Sequence, residues 1–117
     1  HVYPLFFSEA PMFRFLGDAY DQDESVEVVC SHGKTSEEYR YEFPANVRVL
    51  SIPDNLAIAN DVLSYHASYQ LKGRVLTVKR VLEDSTPGNV CSPDLVRRYK
   101  EIAAKAVQNY KLQVVYK

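Results

Sequence analysis

Residues 61–84, D-V-L-S-Y-H-A-S-Y-Q-L-K-G-R-V-L-T-V-K-R-V-L-E-D, constrain the fold more than any other stretch, because apolar and polar residues alternate through two long runs. The runs meet at Lys72-Gly73, and a glycine, which tolerates positive φ, suits a two-residue hairpin turn. This turn predicts two antiparallel strands with one largely apolar face. The residues predicted on that face are Leu63, Tyr65, Ala67, Tyr69, Leu71, Arg74, Leu76, Val78, Arg80 and Leu82.

Arg80 is the exception on this apolar face. In the predicted register it lies opposite Tyr65, and a guanidinium can stack on an aromatic ring. We therefore expect Arg80 to stack on Tyr65 and to place its charge near the rim of the core.

Shorter alternating runs precede the hairpin. Residues 37–43, E-E-Y-R-Y-E-F, place Tyr39, Tyr41 and Phe43 on one side of a strand and charged residues on the other. Residues 32–36 are typical of a turn. Further short strands are predicted within residues 25–32 and 46–53.

A helix is predicted at about 93–109. Ser92 is a good N-cap, Pro93 suits the first helical position, and the carboxylate of Asp94 suits the positive end of the helix dipole. The apolar residues that follow recur at helical spacing, so the helix is amphipathic.

The last residues, L-Q-V-V-Y, predict a short final strand. Lys111 and Lys117 flank it, and such charges are typical of an exposed sheet edge. Strands followed by one late helix indicate a mainly β fold. We predict an antiparallel β-sandwich with one C-terminal amphipathic helix and a short final strand.

The chain length of 117 residues suits one domain, which we place at residues 21–117. Residues 1–20 are apolar but aperiodic and contain Pro4 and Pro11, so we expect an extended lead-in segment or linker that includes an edge strand. Because the chain starts at His1, we expect it to be a piece of a longer protein.

Composition argues against several classes of function. Fourteen Lys and Arg against fifteen Asp and Glu give a net charge of −1, without the basic excess of a nucleic-acid-binding domain. No apolar run reaches the ~18 residues of a membrane span. Two cysteines and three histidines fit no zinc spacing. We expect no nucleic-acid partner, no membrane span, no metal and no cofactor.

Few residues suggest catalysis. Cys30 and His32 lie too close on one strand for a base to reach a thiol, so we interpret them as a core cysteine and a turn histidine. His66, between Ser64 and Ser68, could line a binding groove, but this pattern favours a solvated outer sheet face.

The remaining charged residues also favour structural interpretations. Glu37-Glu38 lacks the second carboxylate-bearing element that a hydrolase needs. The basic residues of the helix are typical of its solvated side; they are Arg97, Arg98, Lys100 and Lys105. We predict no catalytic residue.

Four stretches carry a resemblance to a known family: Y-R-Y-E-F-P-A-N-V-R-V-L-S-I-P, Y-Q-L-K-G-R-V-L-T-V-K-R-V-L, S-P-D-L-V-R-R-Y-K-E-I-A and L-Q-V-V-Y-K. Their order resembles the small C-terminal β-domain that follows the transglutaminase-like core in large bacterial cell-envelope proteins. The resemblance implies a periplasmic or cell-envelope setting and a papain-like core upstream. The catalytic Cys-His-Asp residues of that family belong to the core, and no position here matches them.

The resemblance implies a non-catalytic accessory or interaction module, whose partner is the upstream domain of the same chain or a protein or glycan ligand. The alternative is a free-standing β-sandwich that binds a glycan or a peptide through its tyrosine-rich strands. The sequence upstream of this chain would discriminate between them.

Cys91 leaves three interpretations open. It directly precedes the predicted helix start, where the helix dipole favours a thiolate, but neither His32 nor His66 is placed to act as its base. A disulfide between Cys30 and Cys91 and two buried thiols are both favoured over a catalytic thiol. The envelope setting that the resemblance implies would permit the disulfide.

Overall fold

The computed structural model describes residues 1–5, 11–20, 25, 27–29, 33–86, 88 and 90–117. Within these ranges there are two helices, α1 (Pro11–Tyr20) and α2 (Pro93–Tyr110). The strands of the described residues are β1 (Val2–Pro4), β2 (Val28–Val29), β3 (Gly33–Glu42), β4 (Val49–Ser51), β5 (Leu56–Ala59), β6 (Leu63–Lys72), β7 (Val75–Asp84), β8 (Val90–Cys91) and β9 (Gln113–Tyr116).

Two antiparallel sheets organise these strands. The larger has the order β3-β7-β6-β5, and the smaller has the order β1-β9-β4. Strands β2 and β8 form a separate short pair. The predicted class is confirmed: the fold is mainly β and antiparallel, with a C-terminal helix and a final strand.

The hairpin of β6 and β7 turns one residue later than predicted. Lys72 pairs with Val75, so the loop is Gly73-Arg74 rather than Lys72-Gly73. Gly73 has a φ of 61°, and among the described residues no residue other than glycine has positive φ. This fits a type II′ turn, which needs positive φ only at its first loop residue. Arg74 is therefore an exposed turn residue and not part of the apolar face.

This correction does not change which residues of β6 and β7 lie on the inner face. Leu71 faces Leu76 and Tyr65 faces Leu82, so the partners differ from the prediction by two residues. Because side chains alternate with a period of two, a shift of two residues returns each side chain to the same face. The buried residues of this face are Leu63, Tyr65, Ala67, Tyr69, Leu76, Val78, Arg80 and Leu82.

Strand β3 begins at Gly33, where the sequence predicts a turn through residue 36. Gly33 pairs with Asp84 and Glu42 with Val75, so the strand runs along the whole of β7. Residues 33–36 have a turn-like composition, but β7 is long enough to supply partners for their backbone hydrogen-bonding groups. The predicted side-chain alternation is confirmed, since Phe43 is buried and Arg40 is exposed.

The first twenty residues differ from the predicted extended segment. Val2–Pro4 form an edge strand, but Pro11–Tyr20 form a helix. Pro11 occupies the first helical position, and Met12 and Leu16, one turn apart, are both buried in the core. The apolar spacing of this stretch is therefore helical.

Strand β9 is central in the smaller sheet, not an exposed edge as its flanking lysines suggest. It pairs with β1 on one side and with β4 on the other. Val114 is fully buried. The edges of this sheet are instead β4 and β1, and β1 is the edge strand expected within residues 1–20.

Helix α2 covers the inner face of the larger sheet, as the buried residues on its stripe show; these are Val96, Ile102, Ala103, Ala106, Asn109 and Tyr110. Side-chain hydrogen bonds to Asp84, Asn60 and Asp61 anchor its first half. Tyr99 donates to Asp84 at 2.5 Å, and Asn60 donates to the carbonyl of Arg98 at 2.8 Å. No described helix is long and apolar enough to cross a membrane.

The helix start is as predicted, with Ser92 as N-cap accepting a hydrogen bond from the amide of Leu95 at 3.3 Å. Ser92→Ala is expected to lower the free energy of unfolding by about 1 kcal/mol, because this amide loses its cap. Urea denaturation measures the loss. An unchanged midpoint and slope would contradict the capping role.

Tyr65→Ala is expected to lower the free energy of unfolding by about 3 kcal/mol, because the ring is fully buried between the larger sheet and α2. His66→Ala, an exposed neighbour on the same strand, serves as the matched control and should change stability by less than about 0.5 kcal/mol. Equal losses in the two variants would show that the inner face is wrongly assigned.

Candidate functional site

The most unusual group of side chains surrounds Arg80, which is fully buried in the inner face of the larger sheet. Its Nη2 donates a hydrogen bond to the carbonyl of Leu5 at 2.7 Å, and its Nη1 contacts Glu37 Oε1 at 3.3 Å. Cross-strand pairing of β3 with β7 places Glu37 directly opposite Arg80. The cation is therefore buried with an anionic partner.

The carboxylate of Glu37 accepts hydrogen bonds from several side chains. Besides Arg80, the hydroxyl of Tyr110 donates to Glu37 Oε1, and the hydroxyl of Tyr39 donates to Glu37 Oε2 at 3.2 Å. The Glu37 side chain is only 12% exposed. Because β3, β7 and α2 all contribute to this carboxylate, it ties the sheet to the helix.

Arg80 stacks on a different ring from the one predicted. Its Cζ lies 4.1 Å from the ring centroid of Tyr110 and 5.9 Å from that of Tyr69. The hydroxyls of Tyr65 and Tyr69 instead donate to Asn109 Oδ1, at 2.8 and 2.7 Å. The expected Arg80–Tyr65 stacking is corrected because α2 places Tyr110 over the sheet face.

We name the set Arg80, Glu37, Tyr110, Tyr65, Tyr69 and Asn109 the arginine network. Burial raises the pKa values of Tyr65, Tyr69 and Tyr110, and for Tyr110 the hydrogen bond to Glu37 raises it further. These hydroxyls therefore stay protonated at neutral pH. The network holds one cation and one anion as a neutral, hydrogen-bonded unit, which is suited to fixing α2 on the sheet rather than to proton transfer.

The outer face of the larger sheet carries His66, which the sequence places between Ser64 and Ser68. His66 is exposed and borders a shallow depression of about 430 Å³ that also includes Ser68 and Lys79. His66 therefore lies on the outer face of the sheet, as the sequence predicts. The depression is open and its floor is largely aliphatic, with Ala57 and Val81 beside His66.

Cys91 is buried at the end of β8 and is disulfide-bonded. The chain's other cysteine, Cys30, and the nearby His32 lie outside the described residues. Val28 pairs with Cys91, and Val29 pairs with Val90. The assignment of Cys30 as the partner stays a prediction.

The predicted solvated basic face of α2 contains ion pairs near its start. Arg97 pairs with Asp94 at 3.0 Å. Arg98 pairs with Asp94 at 3.4 Å and also with Asp61. These acidic partners reduce the positive charge that this end of the helix presents.

Glu37 and Glu38 do not form a carboxylate pair, because they point to opposite faces of β3. Glu38 is exposed, whereas Glu37 belongs to the arginine network. Sequence reasoning missed this role of Glu37, and it missed the burial of Asn109. The signal for Glu37 was its place two residues before Tyr39, on the same face as a cation.

A second groove lies where the two sheets meet, with a volume of about 450 Å³. Tyr3 packs edge-on against Tyr41 and Phe43, with ring centroids 5.8 and 6.2 Å apart. We name this feature the junction groove; its lining residues are Tyr3, Arg40, Tyr41, Glu42, Phe43, Pro44, Val47 and Tyr116.

Within the described ranges, no group of three or more His, Cys, Asp or Glu residues could hold a metal ion.

Comparisons with known proteins place this geometry in context. The family model described as a Domain of Unknown Function with solved-structure structure (DUF3858) matches residues 21–116. No curated protein matches the chain. A similar solved structure is that of a "putative protease" from Parabacteroides distasonis ATCC 8503, with a TM-score of 0.73 and 8% sequence identity. The match covers 98% of this chain but 23% of the other, and at this identity it shows the fold alone.

Proposed function

This chain belongs to the DUF3858 family of domains, and on that premise we propose that it is a non-catalytic accessory module of a longer protein. Its partner is an upstream transglutaminase-like domain of the same chain. The observation that carries the proposal is the share of the Parabacteroides distasonis chain that this fold covers, 23%, in a protein described as a "putative protease". Such a fold serves there as one part of a larger molecule.

The chemistry of the described residues supports an accessory role. The arginine network uses its charges and hydroxyls to hold α2 on the larger sheet, and its tyrosines stay neutral at physiological pH. His66 is exposed on an open face and has Ala57 and Val81 as cross-strand neighbours. Within the described residues no hydrogen bond joins Ser68 to His66 or to Lys79 in this depression, whereas acyl transfer would need a nucleophile held by a base.

The transglutaminase-like nature of the upstream domain rests on the four sequence stretches that resemble such proteins. The disulfide-bonded state of Cys91 supports the periplasmic or cell-envelope setting that we propose with it. Disulfides persist in oxidising compartments and are rare in the bacterial cytosol.

The smaller sheet offers a face for the upstream domain. Val2 and Val115 are direct cross-strand partners, so they share a face, and they are 55% and 38% exposed. Leu50, on the adjoining β4, is 54% exposed. His1 lies at the same sheet, where its backbone nitrogen donates to the carbonyl of Tyr116 at 3.0 Å. A domain that precedes His1 would therefore connect beside these apolar side chains.

The full-length protein tests this proposal. We expect its sequence upstream of His1 to contain a Cys-His-Asp core, and we expect alanine at that cysteine to abolish peptide hydrolysis and transamidation. The matched variant His66→Ala should keep the activity, since it alters an exposed residue of the accessory module. An upstream sequence without such a core, or hydrolysis by residues 1–117 alone, would contradict the proposal.

A further inference from the structure

The junction groove lies along the free edge of β3. In the described part of the chain, β3 is the outermost strand of the larger sheet and pairs only with β7. The groove is lined by Arg40 and Glu42, which point to the outer face, and by Tyr41 and Phe43, which point to the inner face. Side chains of both faces border a single groove only where it follows the edge of the strand.

The backbone of this edge is oriented for pairing. Directly after β3, the amide of Phe43 donates to the carbonyl of Arg74, which directly precedes β7, at 2.8 Å. The odd-numbered residues of β3 therefore direct their backbone groups to β7. In an antiparallel ladder the backbone groups of alternate residues point to opposite sides. The amides and carbonyls of Arg40 and Glu42 therefore point away from β7, towards the groove.

The charged side chains of Arg40 and Glu42 at this edge are also placed to pair with charges on an added strand. Three charged residues of β3 lie opposite a residue of opposite charge on β7: the pairs are Lys34 with Glu83, Glu37 with Arg80, and Glu38 with Lys79. Arg40 and Glu42 differ, because they lie opposite Thr77 and Val75. The residues of β7 directly opposite them carry no charge, so an added strand on the other side of β3 could pair with both.

We propose that the junction groove binds an extended peptide that adds an antiparallel strand to the edge of β3. Its backbone pairs with Arg40 and Glu42, as in other cases of strand addition. Its outward side chains follow the pattern Lys-x-Glu, which places the lysine opposite Glu42 and the glutamate opposite Arg40. The intervening apolar side chain points to the inner face, where the rings of Tyr3, Tyr41 and Phe43 line the groove. This site is separate from the apolar face at Val2, because successive residues of β1 point to opposite sides.

The peptide acetyl-Thr-Val-Lys-Val-Glu-Val-Thr-amide is the probe. We expect it to shift the amide NMR signals of Arg40 and Glu42 in the chain of residues 1–117. It should bind about tenfold more tightly than acetyl-Thr-Val-Glu-Val-Lys-Val-Thr-amide, which places like charges opposite both residues. N-methylation of the lysine and glutamate amides, which removes the hydrogen bonds to β3, should abolish binding.

The double variant Arg40→Glu/Glu42→Arg keeps the same side-chain types but exchanges their positions, so it should reverse the preference between the two peptides. Lys105→Glu, on the exposed side of α2, is the control and should leave the preference unchanged. The proposal is overturned if neither peptide shifts the two amides, or if both bind equally. It is also overturned if sedimentation shows a dimer whose dissociation on dilution shifts the same two amide signals, since a second copy would then occupy the edge.

Discussion

Arg80→Met is expected to lower the free energy of unfolding by about 3–5 kcal/mol, because it leaves a largely buried carboxylate without its cation. Glu37 is only 12% exposed, and the carbonyl of Leu5 would lose its donor from Arg80. The stacking of the guanidinium on Tyr110 would be lost as well. Guanidinium chloride denaturation, followed by far-ultraviolet circular dichroism, measures the loss.

Two further variants distinguish the effect of breaking the ion pair from the effect of replacing any arginine by methionine. Arg74→Met, in the exposed hairpin turn, should change stability by less than about 0.5 kcal/mol. Arg80→Met combined with Glu37→Met should be more stable than Arg80→Met alone, since the second change removes the unpaired charge. A loss below about 1 kcal/mol for Arg80→Met would show that the network contributes little to the fold.

Reduction of the disulfide at Cys91 is expected to lower the free energy of unfolding by about 4 kcal/mol, if chain entropy sets the effect. We expect Cys30 to be the partner, 61 residues away in the sequence. Denaturation with and without dithiothreitol measures the difference. In the control variant Cys30→Ala/Cys91→Ala the reductant should have no effect.

Alkylation tests the assignment of the same cysteines. With iodoacetamide, we expect mass spectrometry to find no labelling of either cysteine until the domain is both reduced and unfolded. Labelling on unfolding without a reductant would indicate two buried thiols instead. Rapid labelling of Cys91 in the native domain at neutral pH would favour the catalytic thiol and contradict the accessory role.

The hairpin and the last helix could be predicted because local rules fix them. Alternation assigns Tyr65 to the inner face, and Ser92-Pro93 marks the helix start, whatever surrounds them. The position of the turn was harder to predict, since the two possible loops, Lys72-Gly73 and Gly73-Arg74, both contain Gly73. Only the required sign of φ at each loop position distinguishes the two.

The arginine network could be predicted only in part, because its members come from distant parts of the chain. Arg80 stood out as a charge on an apolar face, but its ring partner, Tyr110, is on α2 and its acceptor, Leu5, lies near the start. How α2 lies on the sheet decides which tyrosine contacts the guanidinium. Sequence periodicity gives the face of each element but not this placement.

The helix at Pro11–Tyr20 was missed for a related reason. Prolines at both ends of the preceding stretch suggested extended chain, although proline is also common at the first position of a helix. The central place of β9 was missed because Lys111 and Lys117 flank it, although Lys117 itself exchanges two backbone hydrogen bonds with Arg48, next to β4. Flanking charges describe the ends of a strand, not its neighbours.

The most direct test of the accessory role is calorimetric titration of this domain with the separately produced portion of the full-length protein that precedes His1. We predict binding that Val115→Asp weakens by about tenfold or more, because the charge would be buried against the upstream domain. Lys79→Asp, on the outer face of the larger sheet, should leave the affinity unchanged. No binding, or equal binding by the Val115→Asp variant, would contradict docking through the smaller sheet and with it the proposed accessory role.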